Sequence, residues 1–235
     1  MTTFLIPAYN EEKRIGKTLN ELSYAFPDSE IIVVFDGNDH TPEVVKKFPR
    51  AKLISYGRRL GKGKAVIEGL KKARPSEIVI LIDADMPVSA EDIIKAIKSL
   101  GSADLLFASR LYVNLPKSRL ILHDMFNSLA KIFFPQLRRF RDWQSGFKIM
   151  RTDSANKVAD ELILNDFIFD TNLVYSFIRM GFKVIEYPVL WHHEESESKV
   201  SQNLFKIILM DFFSLVKLRV YYSPFKIVLK TRTFL

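Results

Sequence analysis

Five apolar residues in a row, Ile78-Val79-Ile80-Leu81-Ile82, run straight into two carboxylates one residue apart, Asp83 and Asp85. An unbroken, largely β-branched run of this kind describes a strand covered on both faces, so the chain must supply helices on either side of it. In open α/β sheets ligands gather at the carboxyl ends of the strands, which is where Asp83-Ala84-Asp85 falls. Carboxylates at i and i+2 point the same way, and a turn there can aim both at one hard cation carrying phosphate oxygens. Taken alone, the pair also suits a solvated surface turn.

The segments before it alternate in character. Phe4-Leu5-Ile6 reads as a strand, and Ile15, Leu19 and Leu22 have helical spacing. Ile31 to Phe35 is a second apolar strand, followed by the turn-rich Asp36-Gly37-Asn38-Asp39-His40-Thr41-Pro42. A short helix around Val44 and Val45, a strand over Ala51 to Ser55 and a helix over Ala65 to Ala73 complete the series. This order predicts an α/β fold, a doubly wound and mostly parallel sheet flanked by helices. With 235 residues and 48% hydrophobic content, the chain can bury a sizeable core.

Between the last of those strands and helices lies Gly57-Arg58-Arg59-Leu60-Gly61-Lys62-Gly63-Lys64-Ala65, with four cations. Glycines admit close backbone approach, and a helix N-terminus with lysines favours anions, so a diphosphate is a suitable guest. The loop is neither a dinucleotide fingerprint nor a P-loop, since no Ser or Thr follows Gly-Lys. A net charge of +8 asks for an anionic partner of some kind, whether nucleic acid, membrane surface or phosphorylated substrate.

The order Pro7-Ala8-Tyr9-Asn10-Glu11, Asp36-Gly37, Gly61-Lys62-Gly63-Lys64-Ala65 and Asp83-Ala84-Asp85 resembles the nucleotide-sugar half of the family 2 glycosyltransferases, whose fold is called GT-A. Further on, Ala108-Ser109-Arg110, Asp142-Trp143-Gln144-Ser145-Gly146-Phe147-Lys148, Phe169-Asp170 and Pro188-Val189-Leu190-Trp191 leading to Ser198-Lys199 are similar to the polyprenyl-phosphate (dolichyl-phosphate) glucosyl- and mannosyltransferases. The resemblance implies a GT-A catalytic domain over residues 1–200, with a nucleotide-sugar half (1–105) and an acceptor half (106–200). A basic, amphipathic helical segment occupies 201–235. The implied reaction is inverting transfer of a hexose from a nucleotide sugar, UDP-glucose first and GDP-mannose as the alternative, to a polyprenyl phosphate. The Asp-x-Gln-x-Gly-Phe-Lys run leans towards the glucosyl branch.

The resemblance also distributes roles. Asp83 and Asp85 would hold Mg²⁺ or Mn²⁺, with Asp85 the main protein ligand. Pro7, Tyr9, Glu11 and Asp36 would hold the base and ribose, and Lys62 and Lys64 the diphosphate. Arg110 and Arg119, with Lys199, would clamp the acceptor phosphate, because the guanidinium fork matches phosphate oxygens. Asp142 would orient the acceptor or take a proton. Asp170 would line the sugar pocket, unless it merely caps a helix. A phosphate monoester is largely a dianion at neutral pH, so such an acceptor needs no strong general base.

Departures from the pattern are visible. Phe35 stands where the family's first acid of Asp-Asp-Gly-Ser would be, and Asn38 replaces its Ser. Pro87 stands where the mannosyl branch carries Gln, and Glu197 precedes Ser198-Lys199 in place of glycine. His192-His193 reads as a strand end, since neighbouring strand residues face opposite ways.

Two stretches look interfacial. Residues 118–134 carry Leu120, Ile121, Met125, Phe126, Leu129, Ile132, Phe133 and Phe134, followed by Arg138, Arg139 and Arg141. Residues 203–220 carry Phe205, Ile208, Leu209, Phe212, Leu215 and Val216, with Lys206 and Lys217. Apolar faces beside cations suit anionic headgroups, or they pack on the sheet or on a second copy of the chain in a homodimer. No run reaches the roughly 18 apolar residues of a membrane span. Without cysteine or a recognisable signal peptide, the expectation is a protein peripheral on the cytoplasmic face of a membrane, with no nucleic-acid partner. Two other classes stay open: a transferase acting on a hydroxyl, and a non-catalytic basic module.

Overall fold

A computed structural model describes residues 2–73, 76–113, 117–166, 168–192 and 204–224. Seven strands form one sheet: β1 (Thr2–Ala8), β2 (Glu30–Phe35), β3 (Ala51–Ser55), β4 (Ile78–Leu81), β5 (Leu105–Val113), β6 (Lys148–Arg151) and β7 (Val184–His192). Their spatial order is β3-β2-β1-β4-β6-β5-β7. β1 to β4 are mutually parallel, as the alternation predicts.

β6 departs from the parallel scheme, pairing antiparallel with β4 on one side and β5 on the other. A strand opposed to both neighbours leaves those neighbours running the same way. The carboxyl ends of β4 and β5 therefore lie on one edge, and Asp83-Asp85 and Ser109-Arg110 come into range of each other. β6 also begins at that edge, with Lys148 opposite Leu81 and Phe107.

The helices are α1 (Ile15–Ala25), α2 (Thr41–Val45), α3 (Lys62–Leu70), α4 (Ala90–Ser99), α5 (Lys117–Phe133), α6 (Thr152–Ala159), α7 (Phe169–Arg179) and α8 (Leu204–Tyr221). They cover both faces of the sheet. Strand alternation sends Leu5, Ile32, Val34, Val79, Leu81 and Phe107 into one apolar cluster with Trp143 and Phe169. Phe4, Ile6, Ile31, Val33, Ile80 and Leu106 go into the other, with Ile15, Leu19 and Ile93. Every residue of β4 is buried, which is why that strand reads as a continuous apolar run.

α3 starts at Lys62, three residues ahead of the predicted Ala65, because Gly61 takes φ +83° and turns the chain into the helix. Lys62 thereby belongs to the first helical turn and faces the sheet edge.

Both interfacial stretches are helical, and each divides its apolar residues. On α5 the residues at i, i+4 and i+7, namely His123, Asn127 and Ala130, turn inward, with Phe134 buried just beyond the helix. Leu120, Ile121, Met125 and Ile132 point out. On α8, Leu215 and Leu218 are buried while Leu209, Met210, Phe212 and Phe213 are exposed. Polar anchors hold α8 in place: Ser214 Oγ donates to Asp166, and the Tyr222 hydroxyl meets Ser176 Oγ at 2.6 Å and the Asn172 amide at 3.0 Å.

Candidate active site

At the donor end the loops after β1 and β2 are stitched together. Asn38 N donates to Asn10 Oδ1 (2.9 Å), Glu11 N to Thr41 Oγ1 (2.9 Å) and Glu12 N to Asp39 (3.0 Å). Asn10 adopts φ +58°, a conformation its short amide tolerates. This frame fixes Pro7, Tyr9 and Glu11 in a row.

Asp36 has a different occupation from the base or ribose contact expected of it. Its buried carboxylate accepts from Arg59 Nη1 (2.9 Å), Leu60 N (2.7 Å) and Gly61 N (2.8 Å), so it tethers the loop ahead of α3. Arg59 then lies over the Tyr9 ring, 3.4 Å from its centroid. Arg59 was not singled out from the sequence; one of four cations in a loop gives no signal of its own.

Glu11 is gripped by Arg14 (2.8 Å), but burial, aided by the charges of Asp85 and Asp83, raises its pKa to about 7. Asp85 is 43% exposed at the end of β4, 4.0 Å from Arg14. Asp83 stands against Gly146, where an added Cβ would lie 1.7 Å from Asp83 Oδ2.

Asp83 begins a chain of alternating charge. Lys62 Nζ lies 3.1 Å from Asp83 Oδ1 and 3.3 Å from Asp170 Oδ2. Lys148 Nζ, fully buried, lies 2.6 Å from Asp170 Oδ1 and also donates to the Ser145 carbonyl. Burial works against the ammonium of Lys62, but Asp170 and Asp83 overcome it and hold the group protonated. Burial likewise opposes the Asp83 carboxylate, and the charge of Lys62, with Lys148 and Arg110 behind it, brings its pKa below the usual value. Asp170 is in the first turn of α7 but caps nothing. It is buried between two lysines.

Lys64 does not join this group. Two residues further round α3, about 200° away at helical pitch, it is exposed on the far side. Lys148 and Gly146 were missed as functional positions, although a lysine inside an apolar strand must find a buried carboxylate.

Arg110, in β5, forks onto Asp142: Nε to Oδ2 at 2.7 Å and Nη2 to Oδ1 at 3.0 Å. His123 Nε2 approaches Asp142 Oδ1 at 3.1 Å, and Gln144 N donates to the same oxygen at 3.1 Å. Glu186 on β7 fixes the loop from below by accepting from Arg141 N and Asp142 N. Burial disfavours the Asp142 carboxylate. Hydrogen bonds from His123 and Arg110, with their charges, more than offset that and hold it ionised far below the ordinary range. A base so depressed takes up protons poorly, so the proton-accepting role expected of Asp142 loses its support.

Arg119 falls in the first turn of α5, and its side chain is outside what the structure describes. Lys199 lies outside the described residues, as do His193 and the side chain of His192.

Among the described residues no three His, Asp or Glu side chains converge as a ready-made metal cage. The donor set nevertheless suits a hard cation that brings its own oxygens: Asp85 is exposed, Asp83 stands two residues before it, and the charges of both reach Glu11.

Residues 3–160 match the family described as glycosyl transferase family 2. A dolichyl-phosphate beta-glucosyltransferase of Trichomonas vaginalis is 31% identical over 228 residues, an alignment spanning 85% of this chain and 66% of that protein. An undecaprenyl-phosphate mannosyltransferase of Micrococcus luteus is 25% identical over 214 residues, spanning 84% of this chain and 86% of that one. Among solved structures, glucosyl-3-phosphoglycerate synthase from Mycobacterium tuberculosis, in complex with Mn²⁺, UDP-glucose and phosphoglyceric acid, superposes with a TM-score of 0.70 at 17% identity. That match covers 94% of this chain and 78% of the other, and shows the shared fold.

Proposed function

This chain belongs to glycosyl transferase family 2, and from that premise we propose that it moves a hexose from a nucleotide sugar, UDP-glucose in the first instance, to a polyprenyl phosphate at a membrane surface. One observation carries the choice of acceptor. Among the described residues of the acceptor half, Asp142 is ion-paired with Arg110 and in contact with His123, and Asp170 is ion-paired with Lys148 and Lys62. A hydroxyl acceptor needs a base there, and neither group suits the task. A phosphate dianion arrives without a proton to lose and asks only to be held.

In this reading an oxygen of the acceptor phosphate attacks the anomeric carbon as the bond to the nucleoside diphosphate breaks, with inversion. Arg110 aligns the incoming phosphate, and Asp142 sets the plane of its guanidinium. Lys62 faces the diphosphate, with the α3 N-terminus behind it. A divalent cation on Asp85 and Asp83, Mg²⁺ or Mn²⁺, would supply Lewis-acid neutralisation of the leaving diphosphate. The outward residues of α5 and α8 make an apolar surface bordered by Lys131, Arg138, Lys217 and Arg219, suited to anionic lipid. Among the described residues no helix is long and apolar enough to cross a membrane.

GDP-mannose is the second reading for the donor, prompted by the mannosyltransferase relative. Incubating the purified protein with each labelled donor, Mg²⁺ or Mn²⁺, and a short polyprenyl phosphate tests both. A lipid-linked sugar phosphate from one donor is expected; none from either would reject the acceptor. Asp142→Ala sharpens the result, since measurable residual turnover fits a phosphate acceptor and complete loss fits a hydroxyl.

A further inference from the structure

The side chain of His123 sits between two carboxylates. Nε2 is 3.1 Å from Asp142 Oδ1, and Nδ1 is 3.2 Å from Asp124 Oδ1. Asn127, one turn further along α5, brings its amide nitrogen within 3.2 Å of Nε2 and is itself buried. A ring nitrogen turned to a carboxylate serves as a donor, so His123 offers Asp142 a hydrogen bond and is not placed to take a proton from a substrate.

We propose that His123 is a positioning residue for the acceptor anion. By donating to Asp142 Oδ1 it holds that carboxylate on the Nε/Nη2 edge of Arg110, and so fixes the plane in which the guanidinium meets the incoming phosphate. The inference rests on the phosphate-acceptor reading above. Its physical basis is competition: Asp142 and a phosphate draw on one guanidinium. While His123 satisfies part of Asp142, the carboxylate keeps a fixed place. Remove that donor, and Asp142 Oδ1 recruits further N–H groups from Arg110, turning the fork away from the anomeric carbon. Asp124 faces the other ring nitrogen, so the bridge runs from α5 through His123 and Asp142 to Arg110 in β5.

Two substitutions separate position from bulk. In His123→Gln the amide nitrogen reaches the place of imidazole Nε2. In His123→Asn it reaches only the place of Nδ1, so the contact with Asp142 is lost while polarity is kept. The first readout, on the full chain without any substrate, is the ¹⁵N-resolved Nε–H resonance of Arg110, assigned by its absence in Arg110→Lys. It should move in His123→Asn and return in His123→Gln; no movement in His123→Asn overturns the proposal whatever the acceptor is.

The second readout is kinetic. The KM for a short polyprenyl phosphate should rise about tenfold in His123→Asn, the usual scale for one hydrogen bond to a charged group, with the nucleotide-sugar KM within about twofold of wild type. His123→Gln should restore it. Equal rises in both constants, or a Gln variant no better than Asn, would mean that the ring supports only the fold, and the positioning role falls. Wild-type protein that glycosylates no phosphate acceptor would instead reject the functional reading, and the resonance alone then decides whether His123 places Arg110.

Discussion

Lys62 and Asp83 are held 3.1 Å apart, and the same ammonium reaches Asp170 at 3.3 Å. A cation binding Asp83 must therefore compete with a lysine that already neutralises it. Free of nucleotide, the site should bind metal weakly. A nucleoside diphosphate changes the balance by adding oxygens to the metal and drawing Lys62 to itself.

Replacing the competitor is the direct check. Lys62→Met should tighten nucleotide-free Mn²⁺ binding several-fold by paramagnetic resonance titration and weaken nucleotide-sugar binding about tenfold, the scale of one charge-assisted contact. Looser metal binding in the variant would contradict the arrangement.

Gly146→Ala places a methyl group into the Asp83 carboxylate, 1.7 Å from Oδ2 and 2.1 Å from Cγ. Asp83 must rotate or shift by about an ångström, a displacement that commonly costs about a hundredfold in rate. We expect kcat/KM to fall by that order with the melting temperature lowered only modestly, because the clash meets the end of one side chain. Full activity would show that Asp83 has no fixed place in the reaction.

Asp211, on the inner side of α8, is pushed up to about 6 by burial and by the neighbouring charge of Asp166. A carboxyl group raised in the folded state contributes stability below its unfolded value near 4, and that contribution is lost as pH rises through about 6. Asp211→Asn removes the penalty of ionisation. The variant should match wild type at pH 4 and exceed it by about 1–2 kcal/mol at pH 8, the full effect of the shift being reduced by solvent screening of a partly exposed group, read by denaturant midpoints at the two values. A gain of equal size at both pH values would point to a packing effect.

Ile121 and Phe213 are 59% and 60% exposed on α5 and α8. Each buries about 1.5–3 kcal/mol of apolar side chain if it enters a lipid headgroup layer, so Ile121→Ser and Phe213→Ser should each lower partitioning onto anionic vesicles about tenfold. Neither should lower the thermal midpoint by more than about 2 °C, since neither contributes to the core. Unchanged vesicle binding in the double variant would remove these faces from any membrane contact.

Strand and helix periodicity made most of the fold legible. β4 is wholly buried and reads as an unbroken apolar run; α1 carries Ile15, Leu19 and Leu22 on its inner face as the spacing predicts. The antiparallel β6 was not legible. Four residues with a lysine among them carry too little pattern, and strand direction is decided by pairing between distant segments. Within the site, Asp83, Asp85 and Lys62 were legible as candidates because strand ends and a Gly-Lys loop have recognisable chemistry, and Arg110 through its place in the Ala108-Ser109-Arg110 run. His123, Lys148, Glu186 and Arg59 were not, because each gains meaning only from a partner 19 to 45 residues away in sequence. Asp36 and Asp170 were identified as acids of interest, but the lysines and amides that surround them became visible only in three dimensions.

β6 also governs whether the protein can be made in pieces. The boundary near residue 105, drawn between nucleotide and acceptor halves, does not correspond to a seam in the sheet, since β4 reaches β5 only through β6. A fragment ending there would leave β4 with a bare, wholly apolar edge, the kind of template on which chains pair with one another. The nucleotide half expressed alone is therefore expected to aggregate, and complementation by two separately folded halves to fail.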